Sequence, residues 1–328
     1  MKILFVDIQY DYGIQSRGPN HIGQEGFKKS LEKLGHEVVP FYYDEYLNNT
    51  GPLQKKLLSY ATEVKPDLIF FVIFREHFHL ETLKELKNKF TTVNWFGDDQ
   101  WRFDSFTSVY APYFTWSITT DQYAIDKYRT IGVENVFFSQ WAAIDQNKIP
   151  DTPTKYKYDV SFVGAKHPYR VWFTKQLRKK GIHVECFGYG WPNGPLGNNE
   201  MGELFANSRI NLNLSNSNCY DIRYLLSSPY HIAHTIKSRK GISQIKARNF
   251  EIPFFNGFQL TNYAPSLENY FDIGKEIVCF SDIDDATMLI KHLLSNNEER
   301  EKIKRNGHIR AVNNHGYYHR LRDFFNIL

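Results

Sequence analysis

The sequence predicts an α/β protein with two domains, each built on a parallel β-sheet that has helices on both faces. Three observations lead to this prediction. Strand-like and helix-like segments alternate along nearly the whole chain. Several strand-like segments, such as residues 68–74, are continuous apolar runs, which are typical of strands buried on both faces. A polar stretch with two prolines, residues 146–158, interrupts the alternation near the middle and is typical of a linker.

The first half of the chain predicts six strands with helices between them. The strands are expected at residues 2–8, 37–41, 68–74, 92–96, 114–119 and 133–138. The helices are expected at residues 21–34, just before residue 65, and at residues 80–89 and 123–128. Each helical segment ends near a glycine, a proline or the next apolar run, as helices in such folds commonly do.

The second half repeats the same alternation. Strands are expected at residues 159–163, 183–187, 210–214, 258–261 and 276–280. Helices are expected at residues 169–180, 200–206 and 284–294, and a mostly helical tail follows at residues 298–325. Residues 211–239 are polar and predict a long loop, which either lines a ligand pocket or becomes ordered when a ligand binds.

The pattern divides the chain into residues 1–148, residues 149–310, and a final helix at residues 311–328 that packs back toward the first domain. Two α/β domains joined by one linker are expected to leave a cleft between them. Because ligands of such sheets bind beyond the carboxyl ends of the strands, candidate site residues are sought in the loops that follow strands.

Composition narrows the class of protein. The chain has 328 residues, enough for two domains, and its net charge of +4 argues against a protein that coats nucleic acid. Its three cysteines lie far apart, which favours a reduced, cytoplasmic protein. The first apolar run is too short to span a membrane. The basic, aromatic tail either packs across the two domains or contacts the inner face of a membrane.

Two cations and a carboxylate precede a turn and a strand-like segment in the second half. Lys246 and Arg248 are suited to neutralise a diphosphate, and Glu251 is suited to accept hydrogen bonds from a ribose diol. The turn that follows is Asn256-Gly257. The alternative is a solvated helix face that carries an ordinary Glu–Arg pair.

The segment around these residues resembles the donor-binding core of the CgeB-like (spore-maturation-protein-like) glycosyltransferases of glycosyltransferase group 1. The residues that carry the resemblance are Arg248, Phe250, Glu251, Ile252, Pro253, Gly257, Phe258, Leu260 and Thr261. The likeness continues at residues 159–164, 265–280 and 299–307, so it covers nearly all of the second half. The first half matches more loosely, at residues 65–67, 98–103 and 141–142.

This resemblance implies the GT-B fold, in which two Rossmann-like domains have parallel sheets that face each other across a cleft. It also implies transfer of a sugar from a nucleoside-diphosphate sugar to an acceptor hydroxyl, with no required metal or cofactor beyond the donor. Glu251 would hold the donor ribose. Asn256, Gly257 and the backbone of Phe258 would approach the phosphates.

Two positions depart from the family pattern. The group usually has Gly-Gly where this chain has Asn256-Gly257. Related retaining enzymes often carry a second glutamate eight residues before the ribose-binding one, and here that position is Ser243. Retention or inversion at the anomeric carbon is therefore left open.

A second candidate phosphate loop follows the strand at residues 159–163. Gly164 opens this loop, which leads into a helix whose N–H groups and dipole favour a bound anion. Lys166 and Arg170 are its candidate phosphate ligands. The alternative is a plain strand-to-helix turn with exposed charges.

Candidate bases lie in the first domain. His21 stands near the start of the first helix, and an imidazole suits removal of a proton from an acceptor hydroxyl. Asp99, or its neighbour Asp98, follows the strand at residues 92–96 and is the alternative base. Each of these residues also has a structural interpretation, as a helix-terminal residue, a cap, or a partner of Arg102.

Other motifs are set aside. Asp282-Ile283-Asp284-Asp285 resembles a DxD metal motif, but it lies between a strand and a helix, where Asp282 is expected to act as an N-cap. The chain has no GxGxxG after its first strand, no P-loop and no GxSxG. The rival hypotheses are a non-catalytic GT-B relative that binds a nucleotide or a partner protein, and a two-domain small-ligand sensor. The acceptor stays open among a glycan, a lipid-linked sugar, a protein and a modified base, and so does the oligomeric state.

Overall fold

The computed structural model describes residues 1–145, 149–216, 219–238, 240 and 243–328. The chain forms two compact units, and each has its own sheet. Unit 1 comprises Met1–Asp145 together with Tyr317–Leu328, and unit 2 comprises Gln146–Gly316. The C-terminal helix therefore belongs to the same unit as the first strand.

Unit 1 contains a six-stranded parallel sheet in the order β2-β1-β3-β4-β5-β6. Its strands are β1 (Lys2–Asp7), β2 (Glu37–Tyr42), β3 (Leu68–Phe71), β4 (Thr91–Phe96), β5 (Trp116–Thr119) and β6 (Val136–Phe138). Alternate residues of β1 enter different cores. Leu4 and Val6 pack in one cluster, and Ile3 and Phe5 pack in the other. Both faces of this sheet are therefore buried, as the apolar runs predict.

Helices cover both faces of this sheet. They are α1 (Lys29–Lys33), α2 (Thr50–Val64), α3 (Leu80–Lys89), α4 (Asp99–Arg102), α5 (Ser108–Tyr110), α6 (Ile125–Thr130) and, from the end of the chain, α14 (Tyr317–Phe325). A π-helical segment, Ile22–Lys28, precedes α1, and a second one, Phe103–Thr107, lies between α4 and α5. Tyr317 of α14 packs edge-on against Phe27, with ring centroids 4.9 Å apart.

Unit 2 contains a five-stranded parallel sheet in the order β11-β10-β9-β7-β8. Its strands are β7 (Tyr158–Val163), β8 (Glu185–Phe187), β9 (Ser208–Asn213), β10 (Gln259–Asn262) and β11 (Val278–Phe280). Its helices are α7 (Pro168–Lys179), α8 (Asn198–Ala206), α9 (Ile222–Leu225), α10 (Pro229–Lys237), α11 (Arg248–Phe254), α12 (Ile283–Ser295) and α13 (Asn297–Asn314).

The predicted strands are all present, and two segments differ from the prediction. Residues 211–239 are not one long loop, because they contain α9 and α10. The side chains of Asp221 and Ser228 cap these helices by accepting hydrogen bonds from Arg223 N and Tyr230 N. Pro229 fills the first turn of α10, where its missing N–H costs nothing. The helical segment from α4 to α5 was not predicted, since its aromatic residues do not follow a clear helical period.

The expected linker is partly fixed in place. Residues 146–148 lie outside the described residues, while the segment after them is held against α13. Tyr156 Oη donates to Glu301 Oε1 at 2.7 Å, and Lys304 Nζ donates to Thr152 Oγ1 at 3.1 Å. Lys304 is only 2% exposed, so these contacts hold this part of the chain to unit 2.

Candidate functional site

The carboxyl edge of the unit 2 sheet is formed by the loops that follow β7, β9 and β10. The loop after β7, residues 164–167, leads directly into α7. The N-terminal end of α11 lies beside the end of β10, where Asn249 Nδ2 donates to Thr261 Oγ1 at 3.3 Å. Since ligands of parallel α/β sheets bind at this edge, the candidate residues of both segments lie where a ligand is expected.

Arg170 links two of these loops. Its Nη1 donates to Ala165 O at 2.9 Å, and its Nε and Nη2 donate to Leu214 O at 3.1 and 2.7 Å. Burial lowers the pKa of this guanidinium to about 10, and the charge of Arg248 contributes in the same direction. Arg170 was expected to contact phosphate. The structure shows instead that all three of its nitrogens bond to backbone carbonyls, so it positions the loops.

Gly164 provides the room that Arg170 occupies. A Cβ atom at this position would lie 3.1 Å from Arg170 Nη1 and 2.9 Å from Phe162 Cζ. The Gly164 carbonyl accepts a hydrogen bond from Trp191 Nε1 at 3.0 Å. Gly188, at φ +122°, packs even closer, since its Cβ would lie 2.4 Å from Gly164 O. Gly164 and Gly188 therefore allow the backbone segments at this edge to pack closely, because neither has a Cβ atom.

Lys166 is the exposed cation of the same loop. Its backbone N–H donates to Tyr189 O at 2.8 Å, which fixes the backbone. Its Nζ lies 5.7 Å from the ring centroid of Trp191. The side chain therefore extends along an aromatic ring into solvent, where an anion has access to the ammonium group.

Arg248 and Glu251 form an ion pair within α11. Arg248 Nη1 lies 2.8 Å from Glu251 Oε2, and Glu251 is 7% exposed. Arg248 also lies over the Phe205 ring, at 5.3 Å from the centroid, and contacts Met201 Sδ. The pair is thus enclosed by unit 2 and is not the solvated pair of the alternative interpretation.

Lys246 precedes α11 on the same side. Its backbone N–H donates to Asn249 Oδ1 at 3.0 Å, and Asn249 is fully buried. The Asn249 side chain thereby joins the start of α11 to the end of β10. This contact places the backbone of Lys246 at the carboxyl edge, next to the Arg248–Glu251 pair.

The turn at Asn256-Gly257 lies at the other end of α11. Helix α11 begins beside the carboxyl end of β10, and the turn leads from the other end of α11 into the first residue of β10. The turn therefore lies at the amino edge of the sheet. Asn256 Nδ2 donates to Pro150 O at 3.2 Å and to Thr152 Oγ1 at 3.1 Å. Phe258 is fully buried. The expectation that Asn256, Gly257 and Phe258 approach donor phosphates is corrected by this placement.

In unit 1, a buried carboxylate closes the loop after β1. Asp7 accepts hydrogen bonds from Ile8 N at 2.7 Å and from Asn20 Nδ2 at 3.0 Å. Burial raises the pKa of Asp7 well above its usual range. A Cβ at Gly23 would lie 2.0 Å from Asp7 Oδ2, so this glycine allows the segment to pack on the carboxylate.

His21 stands at the start of the π-helical segment that follows this loop. Its Nδ1 lies 3.4 Å from Glu25 Oε1, one turn further along. Its side chain is 38% exposed. Among the described residues His21 Nδ1 has no hydrogen-bond partner, so Glu25 lies beside the ring without fixing its orientation.

Asp99 is enclosed within unit 1 and does not face solvent. Its Oδ1 accepts a hydrogen bond from Thr107 Oγ1 at 2.6 Å, and its Oδ2 accepts from Thr119 Oγ1 and Tyr128 Oη at 2.5 and 2.7 Å. Burial raises its pKa to about 6, although these hydroxyls oppose the shift. The assignment of Asp99 as the catalytic base is therefore corrected, since the residue is 1% exposed.

Asp98, its neighbour, lines a cavity of about 100 Å³ at the carboxyl edge of the unit 1 sheet. Aromatic rings of Phe74, Trp95 and Trp141 form much of the wall. Arg102 closes one side, with Nη1 donating to Phe74 O at 2.7 Å. The cavity thus combines flat apolar rings with one acid and one cation.

The described residues contain no group of three His, Cys, Asp or Glu side chains that is close enough to hold a metal ion. Asp282 caps α12 as predicted, since its Oδ1 accepts hydrogen bonds from Asp284 N and Asp285 N, both at 2.9 Å. Arg223 binds Asp221 and Asp282 at 2.7 and 3.0 Å and joins α9 to the start of α12.

Among the helices of the described ranges, none is both long and apolar enough to cross a membrane.

Comparison with known proteins agrees with this architecture. Residues 170–326, just under half of the chain, match the family described as glycosyl transferase-like. The search of curated protein sequences finds no match.

Solved structures match over both units. Sucrose-phosphate synthase (tll1590) from Thermosynechococcus elongatus is 8% identical, with a TM-score of 0.63 over 99% of this chain and 98% of that one. HepE (Alr3699) of Anabaena, solved with UDP and glucose, is 12% identical, with a TM-score of 0.62 over 100% of both chains. A glycosyltransferase from Rickettsia africae is 9% identical, with a TM-score of 0.62 over 99% and 97%. The chain has the fold of the GT-B glycosyltransferases.

Sequence reasoning missed several residues at these edges. Asp7 has a local signal, because it is an acid at the end of a buried strand. Trp141 belongs to the looser part of the resemblance, but its place in this cavity has no local signal, since it lies far along the chain from the strands that form the other walls. The role of Arg170 as a link between loops depends on Leu214, a contact across 44 residues.

Proposed function

We propose that this protein is a nucleotide-sugar-dependent glycosyltransferase of the CgeB-like group. In this proposal it transfers a hexosyl group from a nucleoside-diphosphate sugar to an acceptor hydroxyl and requires no metal. The observation that carries the proposal is the buried Arg248–Glu251 pair at the carboxyl edge of unit 2, where Arg248 Nη1 lies 2.8 Å from Glu251 Oε2. Lys166 and Lys246 belong to segments at the same edge.

The chemistry of these groups fits a donor of this class. Ammonium and guanidinium groups stabilise the charge that develops on a leaving diphosphate. A buried carboxylate accepts hydrogen bonds from a ribose diol. The match of residues 170–326 to a glycosyl transferase-like family includes Arg248 and Glu251, and the HepE structure contains UDP and glucose. Both findings support a nucleotide-sugar donor.

In the proposed reaction, the acceptor oxygen forms a bond to the anomeric carbon as the bond from that carbon to the diphosphate oxygen breaks. The electron pair of the broken bond stays on the nucleoside diphosphate. The acceptor proton passes to a base in unit 1, for which His21 and Asp98 are the candidates. The cavity beside Asp98 is proposed to bind the acceptor, because aromatic rings suit the apolar face of a sugar.

One observation favours a second candidate function, a non-catalytic relative that binds a nucleotide or a partner. Glu251 is already paired with Arg248 at 2.8 Å, and Ser243 replaces the glutamate found in related retaining enzymes. A binding module would keep the donor site and lack turnover. Hydrolysis or transfer of a bound donor separates the two functions.

The test is a panel of UDP, GDP, dTDP, ADP and CDP in thermal-shift and calorimetric titrations, with and without a chelator. A ligand that binds the folded state raises the melting temperature by mass action. We expect one nucleotide to bind in either condition. Glu251→Gln should weaken that binding about 10-fold or more, since it removes a charged hydrogen-bond acceptor.

Two controls make the result specific. Glu298→Gln changes an exposed glutamate of α13 and should leave the affinity unchanged. Inorganic pyrophosphate lacks a ribose, so Glu251→Gln should weaken its binding less than it weakens binding of the nucleotide. Absence of binding by every nucleotide would refute the proposal, and dependence on a metal would refute its metal-independent form.

A further inference from the structure

Helix α10 presents its apolar face to solvent. Pro229, Ile232, Ala233 and Ile236 follow the i, i+3, i+4, i+7 spacing of one helical face, and all four are exposed. Ile236 is 77% exposed. In an ordinary surface helix this face would pack on the core.

Three polar residues of α10 lie toward the protein instead. Thr235 is 6% exposed, and His231 and His234 are partly buried. The His231 ring stacks on Tyr224 of α9, with centroids 4.4 Å apart and an interplanar angle of 20°. Tyr224 is itself fully buried in the unit 2 core. The reversed orientation is therefore anchored by packing.

The preceding segment extends the exposed apolar surface. Ile222 is 67% exposed and Leu226 is 74% exposed, and Tyr230 of α10 itself is 62% exposed. Together with Ile232 and Ile236, these side chains form what we call the apolar ridge. Several exposed apolar side chains on two helices that contact each other, α9 and α10, are typical of an interaction site.

A groove lined with lysines adjoins the ridge. It has a volume of about 620 Å³, and Tyr230 and His231 form one wall. Lys175 and Lys179, one turn apart on α7, and Lys166 line the rest. None of the described residues that line it is acidic. Besides burial, the charges of Arg170, Lys240 and His234 lower the pKa of His167 in the groove, which shows how positive this region is.

We propose that the apolar ridge and the lysine groove dock unit 2 on the surface of an anionic phospholipid bilayer. Aliphatic side chains and a tyrosine next to lysines match the acyl boundary and the charged headgroups of such a surface. A second copy of this chain fits less well, because pairing the same surface would bring the lysine grooves of both copies together. Lys166 also belongs to the proposed donor site, so the inference rests on Lys175, Lys179 and the apolar ridge and does not depend on the proposed enzymatic function.

The test is cosedimentation of the protein with vesicles of phosphatidylcholine alone and of equimolar phosphatidylcholine and phosphatidylglycerol. We expect binding to the anionic vesicles that decreases with salt, and little binding to the neutral ones. The double variant Ile232→Asp/Ile236→Asp should bind the anionic vesicles at least 10-fold more weakly. Lys175→Glu/Lys179→Glu should do the same.

The matched control is Met288→Asp/Ile309→Asp, which adds the same two charges at exposed apolar positions of α12 and α13, where Met288 is 62% and Ile309 is 59% exposed. It should bind vesicles like the wild type. The melting temperature of each variant shows whether it folds. Equal binding to both vesicle types, or binding that the ridge variants do not reduce, would overturn the inference. A dimer of the wild type that the ridge variants abolish, without vesicle binding, would assign the surface to a second copy.

Discussion

The carboxyl edges of the two sheets share one architecture and differ in the titratable groups that they bury. In unit 1 the loops after β1 and β4 place Asp7, Asp98 and Asp99 at this edge, and burial raises the pKa of Asp7 and Asp99. In unit 2 the corresponding loops place Arg170 and Arg248 there, and burial lowers the pKa of Arg170. The strands set where a ligand binds, while the loops set which charge it meets.

The difference also concerns exposure. In unit 1 the two most perturbed acids are enclosed, and Asp98 faces a cavity with aromatic walls. In unit 2 the buried guanidinium links loops, and Lys166 extends into solvent. Under the proposed function, the first edge suits a neutral hydroxyl compound and a base, and the second suits an anionic donor.

The largest expected effect tests the role given to unit 1. His21→Gln and Asp98→Asn each remove one candidate base. Loss of a general base lowers kcat by about 10²- to 10⁴-fold. We expect one variant to show this loss in a steady-state transfer assay, with its affinity for the donor nucleotide unchanged. If kcat survives in both variants, unit 1 does not supply the base from either position.

A smaller effect concerns the enclosed carboxyl of Asp99. Its pKa is about 6 in the folded protein against an ordinary value of 3.8, so the folded state binds this proton more tightly than the unfolded state. The contribution of the protonated Asp99 carboxyl to stability is therefore complete below pH 3.8, and it is lost as the pH rises through 6. We expect the free energy of unfolding of the wild type, relative to Asp99→Asn, to rise by about 3 kcal/mol between pH 7 and pH 3.

Urea unfolding of both proteins at a series of pH values measures this difference. Because the two proteins share every other titrating group, the difference between their free energies of unfolding isolates the contribution of Asp99. A difference that does not change with pH would show that Asp99 is not buried as a titrating acid. Kinetic assays of Asp99→Asn at pH 7 should show turnover close to that of the wild type, because this carboxyl does not contact a substrate.

The smallest expected effect tests the charge of unit 2. Arg248→Ala removes a cation from the proposed donor site, and we expect nucleotide affinity to fall about 10- to 100-fold by calorimetry. The matched control is Arg102→Ala, which removes the corresponding cation from the unit 1 cavity and should not change nucleotide affinity. Equal losses in both variants would contradict the division of charge between the two edges.

Much of the fold was predictable because its signals are local. The continuous apolar run at residues 68–74 predicts a buried strand, and β3 is fully buried. The cap at Asp282 was also predictable, because an N-cap acts within one turn of its own helix. Helices α9 and α10 were missed, although Asp221 and Ser228-Pro229 are capping signals, because the polar residues around them suggested a loop.

The sequence by itself determined the two parallel sheets, the order of their elements and the loops at which ligands are expected. Tertiary structure alone decided which of Asp98 and Asp99 is enclosed, which end of α11 meets the carboxyl edge, and which face of α10 meets solvent. The reason is physical. Strand and helix periods and caps act over a few residues, whereas burial and hydrogen bonding depend on groups such as Tyr128 and Leu214 that lie tens of residues away.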